Sequence, residues 1–271
     1  MNLLKGEPVA ESIYRELSLK APGFRPQLAI LLVGNTPASE IYVRKKCEAL
    51  EQYCNGTGSI HRFSEDVDES EILSKIQELN QTPDVHGIIL QLPIPKTLDR
   101  FKLLSAIDPT KDVDGLSQKN LGATLQGDWD NTILPATPQA VLEIIKFYQI
   151  SVVGKHVTIV NNSILVGKPL ASMLADMGAT VTVCHKKTEN LRFHMTQADI
   201  VITAIGKPNF FRMDDIKQNA IVIDVGISKT PDGKTTGDFD QSSIESKAQA
   251  YTPVPGGVGP VTVASLLKNL Y

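Results

Sequence analysis

The chain alternates short apolar runs with amphipathic stretches. Gln27–Val33 (QLAILLV) is almost wholly apolar and runs into Gly34. Such a run reads as a parallel strand buried on both faces. The pattern then predicts a helix over Ser39–Tyr53 and a strand over Ser59–Phe63. Asp68-Glu-Ser-Glu71 has the form of a capped helix start, with Ile72, Ile76 and Leu79 as the apolar stripe behind it. Gly87–Leu92 is a third strand, stopped by Pro93 and Pro95, and Phe101–Ile107 reads as a short helix. A polar, glycine-rich region from Asp108 to Asp130 reads as loop, and Pro138–Tyr148 as a helix linking two domains. Alternation then restarts. Strands are predicted over Val157–Val160, Thr180–Val183, Ile200–Thr203 and Ala220–Asp224, with helices over Pro169–Met177, Leu191–Ala198 and Val261–Leu270. Strands separated by helices make βαβ units, so the expected fold is α/β with a parallel, doubly wound sheet.

The length of 271 residues fits two such domains. A net charge of −3 offers no basic surplus for nucleic acid or an anionic membrane, so neither partner is expected. No apolar run reaches the roughly 18 residues of a membrane span. Met1–Glu7 has no apolar segment of the signal-peptide kind. Cys47, Cys54 and Cys184 form no C-x-x-C pair, and the five histidines show no ligand spacing. Reduced thiols, a cytoplasmic location and no metal are expected.

Four places carry candidate chemistry. Ser39, Tyr42 and Lys46 are spaced i, i+3, i+7 and share one helix face. A lysine in a partly dry cleft can serve as acid or base. The plain alternative is a capping serine, a core tyrosine and a solvated lysine beside Arg44 and Lys45. Gln91 ends an apolar strand ahead of Leu92 and Pro93, where open α/β sheets bind ligands. Asp112-Val-Asp114-Gly115 places two carboxylates in a loop, and an ordinary Asx turn fits it equally well. Val157–Pro169 has the strand–turn–helix form of a pyrophosphate site, because helix N-termini offer free N–H groups to anions. The G-x-G-x-x-G pattern is absent, so an ordinary βα turn remains open. His185, Lys186 and Lys187 follow the next strand, where a carboxylate would suit NAD and cations suit the 2′-phosphate of NADP. A solvated basic loop is the alternative there.

Tyr251–Thr262 is the most unusual stretch, mixing three prolines that fix φ with three glycines that free it. Together with Ser39–Lys46, Gly87–Pro93, Asp112–Gly115, Pro135–Pro138, Val166–Pro169 and Val222–Ile227, it resembles one family nearly end to end. That family is the bifunctional methylenetetrahydrofolate dehydrogenase/methenyltetrahydrofolate cyclohydrolase (FolD type). The resemblance implies two α/β domains with a cleft between them, the second Rossmann-like, and a homodimer. A folate domain would cover 1–138, with the helix of 255–271 packing back on it, and a dinucleotide domain 139–254. It also implies NADP-dependent oxidation of 5,10-methylenetetrahydrofolate and hydrolysis of the methenyl product to 10-formyltetrahydrofolate. The resemblance further implies a link to purine, amino-acid, histidine and methionine biosynthesis.

Carried over by residue, Lys46 is the acid/base group of the hydrolysis. Gln91 holds it neutral, Tyr42 orders the folate, and Asp114 binds the pterin. Ser39, Leu92, Pro93, Pro255, Gly256 and Gly257 line the folate site. Asn161, Asn162, Ser163, Val166, Gly167, His185, Lys186, Gly226 and Ile227 meet the dinucleotide. The chain departs from the family at Asn161-Asn-Ser163, where a glycine and often an arginine are usual. Asparagine tolerates left-handed φ, and Lys186 with Lys187 can replace an arginine. NAD therefore stays open as cofactor. A monofunctional cyclohydrolase, a folate-binding protein with an impaired dinucleotide site, and another two-domain dehydrogenase also stay open.

Overall fold

The computed structural model describes residues 2–271, without the side chain of Ala38; Met1, which the expected first domain includes, lies outside the described residues. The first half of the chain runs β1 (Asn2–Leu3), α1 (Gly6–Lys20), β2 (Gln27–Val33), α2 (Pro37–Cys54), β3 (Thr57–Phe63), α3 (Glu69–Gln81), β4 (Gly87–Gln91), α4 (Arg100–Ala106) and α5 (Gln118–Gln126). The second half runs α6 (Ala136–Phe147), β5 (His156–Val160), α7 (Gly167–Asp176), β6 (Thr180–Cys184), α8 (Leu191–Gln197), β7 (Ile200–Thr203), β8 (Ile221–Asp224), β9 (Ser228–Lys229), β10 (Thr235–Thr236), α9 (Gln241–Ile244), β11 (Ala250–Tyr251) and α10 (Val258–Lys268).

The chain divides into two compact units. One comprises Ser12–Ala136 and Val263–Tyr271. Its sheet has the order β3-β2-β4, all parallel. The residues of β2 after Gln27 are buried, as a central strand covered on both faces requires. From β2 the chain crosses to β3 on one side, then to β4 on the other. The crossovers therefore reverse between the C-terminal ends of β2 and β4. The Asp68 carboxylate accepts the Ser70 N–H at 2.8 Å and starts α3. Ile72, Ile76 and Leu79 are buried, and each contributes about 1.5–3 kcal/mol of apolar transfer. Lys111 Nζ donates to the carbonyls of Leu79, Asn80 and Thr82 and so satisfies the end of α3.

Inside the stretch read as loop stands α5. Ser117 caps it, and Gly127 ends it at φ 79°. The N-terminal helix α1 was likewise not anticipated, although Val9, Ile13 and Leu17 are buried at helical spacing.

The other unit comprises the N-terminal segment up to Glu11 together with Thr137–Thr262. Its sheet has the order β1-β11-β8-β7-β5-β6, with every pair parallel. The chain goes from β5 out to β6 at the edge, then back across to β7 on the other flank of β5. That reversal makes the gap between the C-terminal ends of β5 and β7 the topological switch point, where such sheets bind ligands. Val160, Cys184, Met195, Val201, Phe211, Phe239 and Tyr251 belong to one buried cluster of this unit. The β9–β10 hairpin is antiparallel. Among the described residues no helix is long and apolar enough to cross a membrane.

Candidate active site

In the three-stranded unit, the switch point gathers the first constellation. Gln91 ends β4 opposite Leu32 of β2, and α2 rises from the end of β2. Lys46, on the buried face of α2, is 8% exposed, which excludes the solvated alternative. Its Nζ donates to Gln91 Oε1 at 3.2 Å. The Gln91 amide is held the right way round because its Nε2 donates to the Leu92 carbonyl at 2.9 Å. The bond from Leu92 to Pro93 is cis. Asp114 Oδ2 lies 4.0 Å from Lys46 Nζ, at the outer limit of an ion pair. Lysine, amide and carboxylate therefore converge on one point.

Tyr42 sits one helical turn before Lys46, half-buried, and burial raises its phenol above the ordinary value. Ser39 is buried and accepts the Thr36 hydroxyl proton at 2.7 Å. It does not cap α2, which begins two residues earlier at Pro37.

The two carboxylates of the Asp112–Gly115 loop have different surroundings. Asp112 is 1% exposed; its Oδ2 accepts the Ser117 N–H at 2.6 Å and the Asn120 side-chain amide at 3.0 Å. Burial raises its carboxyl above the usual range. Asp112 thus holds the loop from inside, while Asp114 faces Lys46 with part of its side chain open. Gly115 turns the chain at φ 67°, and a Cβ there would overlap Leu134 and Pro135. Asn269, just past α10, donates to the carbonyls of Val113 and Leu134 at 2.9 and 3.0 Å. Sequence reasoning missed this clamp, since it joins positions more than 130 residues apart.

In the six-stranded unit, the turn after β5 lies at the switch point. Asn161 has no left-handed φ, so no glycine is required there. Asn162 is exposed. The free helix-terminal donors expected for an anion are engaged internally. The Gly167 N–H goes to Asn161 Oδ1 at 3.0 Å, the Val166 N–H to Ser163 Oγ at 3.2 Å, and the Lys168 N–H to the Ser163 carbonyl at 3.0 Å. Val160 pairs with Cys184, so His185 and Lys186 leave β6 beside the place where Asn161 and Asn162 leave β5. His185, Lys186 and Lys187 are exposed.

Gly226 follows β8. Its N–H donates to Asp224 Oδ1 at 3.0 Å, and a Cβ there would run into the Asp238 carboxyl. Burial pushes Asp224 up to about 7, with the nearby Asp238 charge adding to the shift. Ile227 is 41% exposed, with its Cδ1 3.5 Å from where a Cβ on Gly259 would stand. The Gly/Pro loop belongs to this unit too. Pro255 and Gly256 are exposed, and Gly256, at φ 98°, accepts the Gly6 N–H at 2.8 Å. Gly257 is buried against Gly6, which has no room for a Cβ. The structure therefore brings Lys46, Gln91 and Asp114 together in one unit, and puts Pro255–Gly257 with the dinucleotide candidates in the other.

An exposed amide, two exposed cations and an exposed aliphatic side chain along one sheet edge suit a group with phosphates at one end and a ring at the other. Residues 4–114 match the catalytic domain of tetrahydrofolate dehydrogenase/cyclohydrolase, and residues 135–271 match its NAD(P)-binding domain. The bifunctional protein FolD of Nautilia profundicola is 44% identical over 99% of this chain and 95% of its own. The crystal structure of the bifunctional FolD enzyme from Campylobacter jejuni superposes with a TM-score of 0.94 at 40% identity, covering 100% of this chain and 97% of that one. The Trypanosoma brucei methylenetetrahydrofolate dehydrogenase-cyclohydrolase, solved with NADP cofactor and inhibitor, gives 0.91 at 33% identity, covering 99% and 95%. With both domains matched and near-complete relatives above 40% identity, this chain belongs to the tetrahydrofolate dehydrogenase/cyclohydrolase family.

Proposed function

We propose that the protein oxidises 5,10-methylenetetrahydrofolate to the methenyl compound with NADP, and hydrolyses that product to 10-formyltetrahydrofolate. NADP would supply the hydride acceptor. Held by residues of the six-stranded unit, it would meet the exposed Asn162 amide, Ser163, and the Lys186 and Lys187 cations, with His185, Val166, Gly167 and Gly226 shaping the edge and Ile227 beside the ring. Two cations next to the turn favour the doubly charged 2′-phosphate, so NADP is preferred over NAD.

The observation that carries the hydrolytic half is the Lys46–Gln91–Asp114 convergence. Methenyltetrahydrofolate is an amidinium cation. Water adds to its bridging carbon and then gives up both protons: one goes to solvent with the cation's positive charge, and one must reach the ring nitrogen as the bridge opens. Lys46 Nζ would carry this proton. A positioned group of this kind is worth roughly 10²–10⁴ in rate. Asp114 would accept paired N–H donors of the pterin, a bidentate arrangement that fixes orientation. Tyr42 would order the folate, and Ser39, Leu92 and Pro93 would line its site. A folate domain of 1–138 with the C-terminal helix and a dinucleotide domain of 139–254 would differ from the two compact units at Asn2–Glu11, Thr137–Pro138 and Pro255–Thr262, which belong to the six-stranded unit.

A cytoplasmic homodimer linked to purine, histidine and methionine biosynthesis completes the reading. The seven-residue β3 is the edge of its sheet, and none of its residues is buried. Unpaired edges of that length invite pairing with a second copy.

A monofunctional cyclohydrolase is the second reading, favoured by the engaged N–H groups at the start of α7. The test is an absorbance assay of 5,10-methylenetetrahydrofolate with NADP and NAD separately. Reduction of NADP ahead of NAD is expected. No reduction of either, with methenyl hydrolysis intact, would leave only the second reading.

A further inference from the structure

The dinucleotide turn contains an asparagine whose side-chain oxygen is fully employed inside the protein. Asn161 Oδ1 accepts the Ser163 N–H at 2.8 Å, the Ser163 hydroxyl at 2.7 Å and the Gly167 N–H at 3.0 Å. Its Nδ2 donates to the Ala204 carbonyl at 2.6 Å. Asn161 is the first residue after β5 and Ala204 the first after β7. That last bond therefore spans the topological switch point itself. An amide oxygen has two lone pairs, so three donors leave it no capacity for a ligand.

The same side chain does the work of a missing cap. Val166 occupies the N-cap position of α7 and has no side-chain hydrogen bond to give. Asn161 and Ser163, six and four residues before the first helical residue Gly167, instead take the N–H groups of Gly167 and Val166 at the helix start. A Cβ on Gly167 would overlap the Asn161 carbonyl, so the turn closes tightly on the helix start. Asn162, between Asn161 and Ser163 in the chain, is exposed.

We propose that Asn161 is a positioning residue: it locks the turn in its dinucleotide-ready shape before any cofactor arrives, and does not itself touch the cofactor. This deepens the dehydrogenase reading and rests on it. A preformed turn avoids the ordering cost that a loose loop adds to binding. Asn161→Ala would release three donors and one acceptor at once. Asn161→Asp would keep the acceptor and lose the donor to Ala204.

The test reads single-amide hydrogen exchange by NMR on the full-length protein without cofactor, together with NADP affinity by calorimetry. Slow exchange at Ser163 and Gly167 in cofactor-free wild type, little changed by NADP, is expected. Asn161→Ala should speed exchange at both by at least ten-fold and raise the NADP Kd by about ten-fold or more. Asn161→Asp should fall between. Cooperative thermal unfolding serves as the fold control; should Asn161→Ala fail it, Asn161→Asp carries the decision by the same two readings. Fast exchange at these amides in wild type that still binds NADP, or protection that appears only with NADP, would overturn the proposal alone. If wild type neither binds nor reduces NADP, the dehydrogenase reading falls and the proposal with it.

Discussion

The two switch points of this molecule use an amide side chain in opposite ways. At the end of β4, Gln91 spends one donor on the adjacent Leu92 carbonyl and turns its oxygen toward Lys46. The lysine nitrogen keeps capacity for other partners. At the end of β5, Asn161 spends its oxygen on three internal donors and one N–H on Ala204. One amide orients a group with spare chemistry; the other consumes its own in holding a backbone. Position at a switch point marks where ligands bind, and the hydrogen-bond count decides whether a residue there reacts, touches or supports.

The two carboxylates of the Asp112–Gly115 loop repeat the contrast within one unit. Asp112→Ala would leave the Ser117 N–H and the Asn120 amide without their buried acceptor. A loss of about 3 kcal/mol in urea-unfolding stability is expected. Asp114→Ala should cost little stability, because its side chain is partly open, and should instead raise the folate KM by roughly ten- to a hundred-fold, about 1.4–2.8 kcal/mol, in steady-state assays. If the two variants behaved alike, the division between supporting and binding carboxylate would fail.

A smaller effect sharpens the division further. Ser117 caps α5 by accepting the Asn120 N–H. Ser117→Ala should lower stability by about 1 kcal/mol and leave the folate KM in place.

A further effect is one of slope with pH. Burial raises Asp224 from 3.8 to about 7 in the folded chain. Between those values the folded protein keeps a proton that the unfolded chain releases. The stability from this group is therefore complete below about pH 4 and declines as pH rises toward 7. Asp224→Asn, followed by thermal melts across that range, should remove this part of the decline.

Much of this was legible in the sequence, and the reasons are specific. β2, β4, β5 and β7 are apolar runs closed by glycine, proline or polar residues, so continuous burial announces them. The Asp68 cap and the Ile72, Ile76, Leu79 stripe are local signals, and both stand in the structure. The strands β1 and β11 are two residues each, too short for any period to register. Helix α5 hid in a polar stretch because its buried residues are Asn120 and Thr124, which carry no apolar pattern. The convergence of Lys46, Gln91 and Asp114 came from family resemblance; spacing alone left it open to a solvated lysine. Asn161 looked like a defect in a phosphate turn, because its partner Ala204 lies 43 positions away.

The division of labour between the two switch points is tested most directly by Lys46→Met, with both half-reactions measured on the same protein. NADP reduction by 5,10-methylenetetrahydrofolate should persist, hydrolysis of the methenyl product should fall by roughly 10²–10⁴-fold, and the methenyl compound should accumulate. Hydrolysis at the wild-type rate would contradict the role given to Lys46 and, with it, the assignment of hydrolysis to the three-stranded unit.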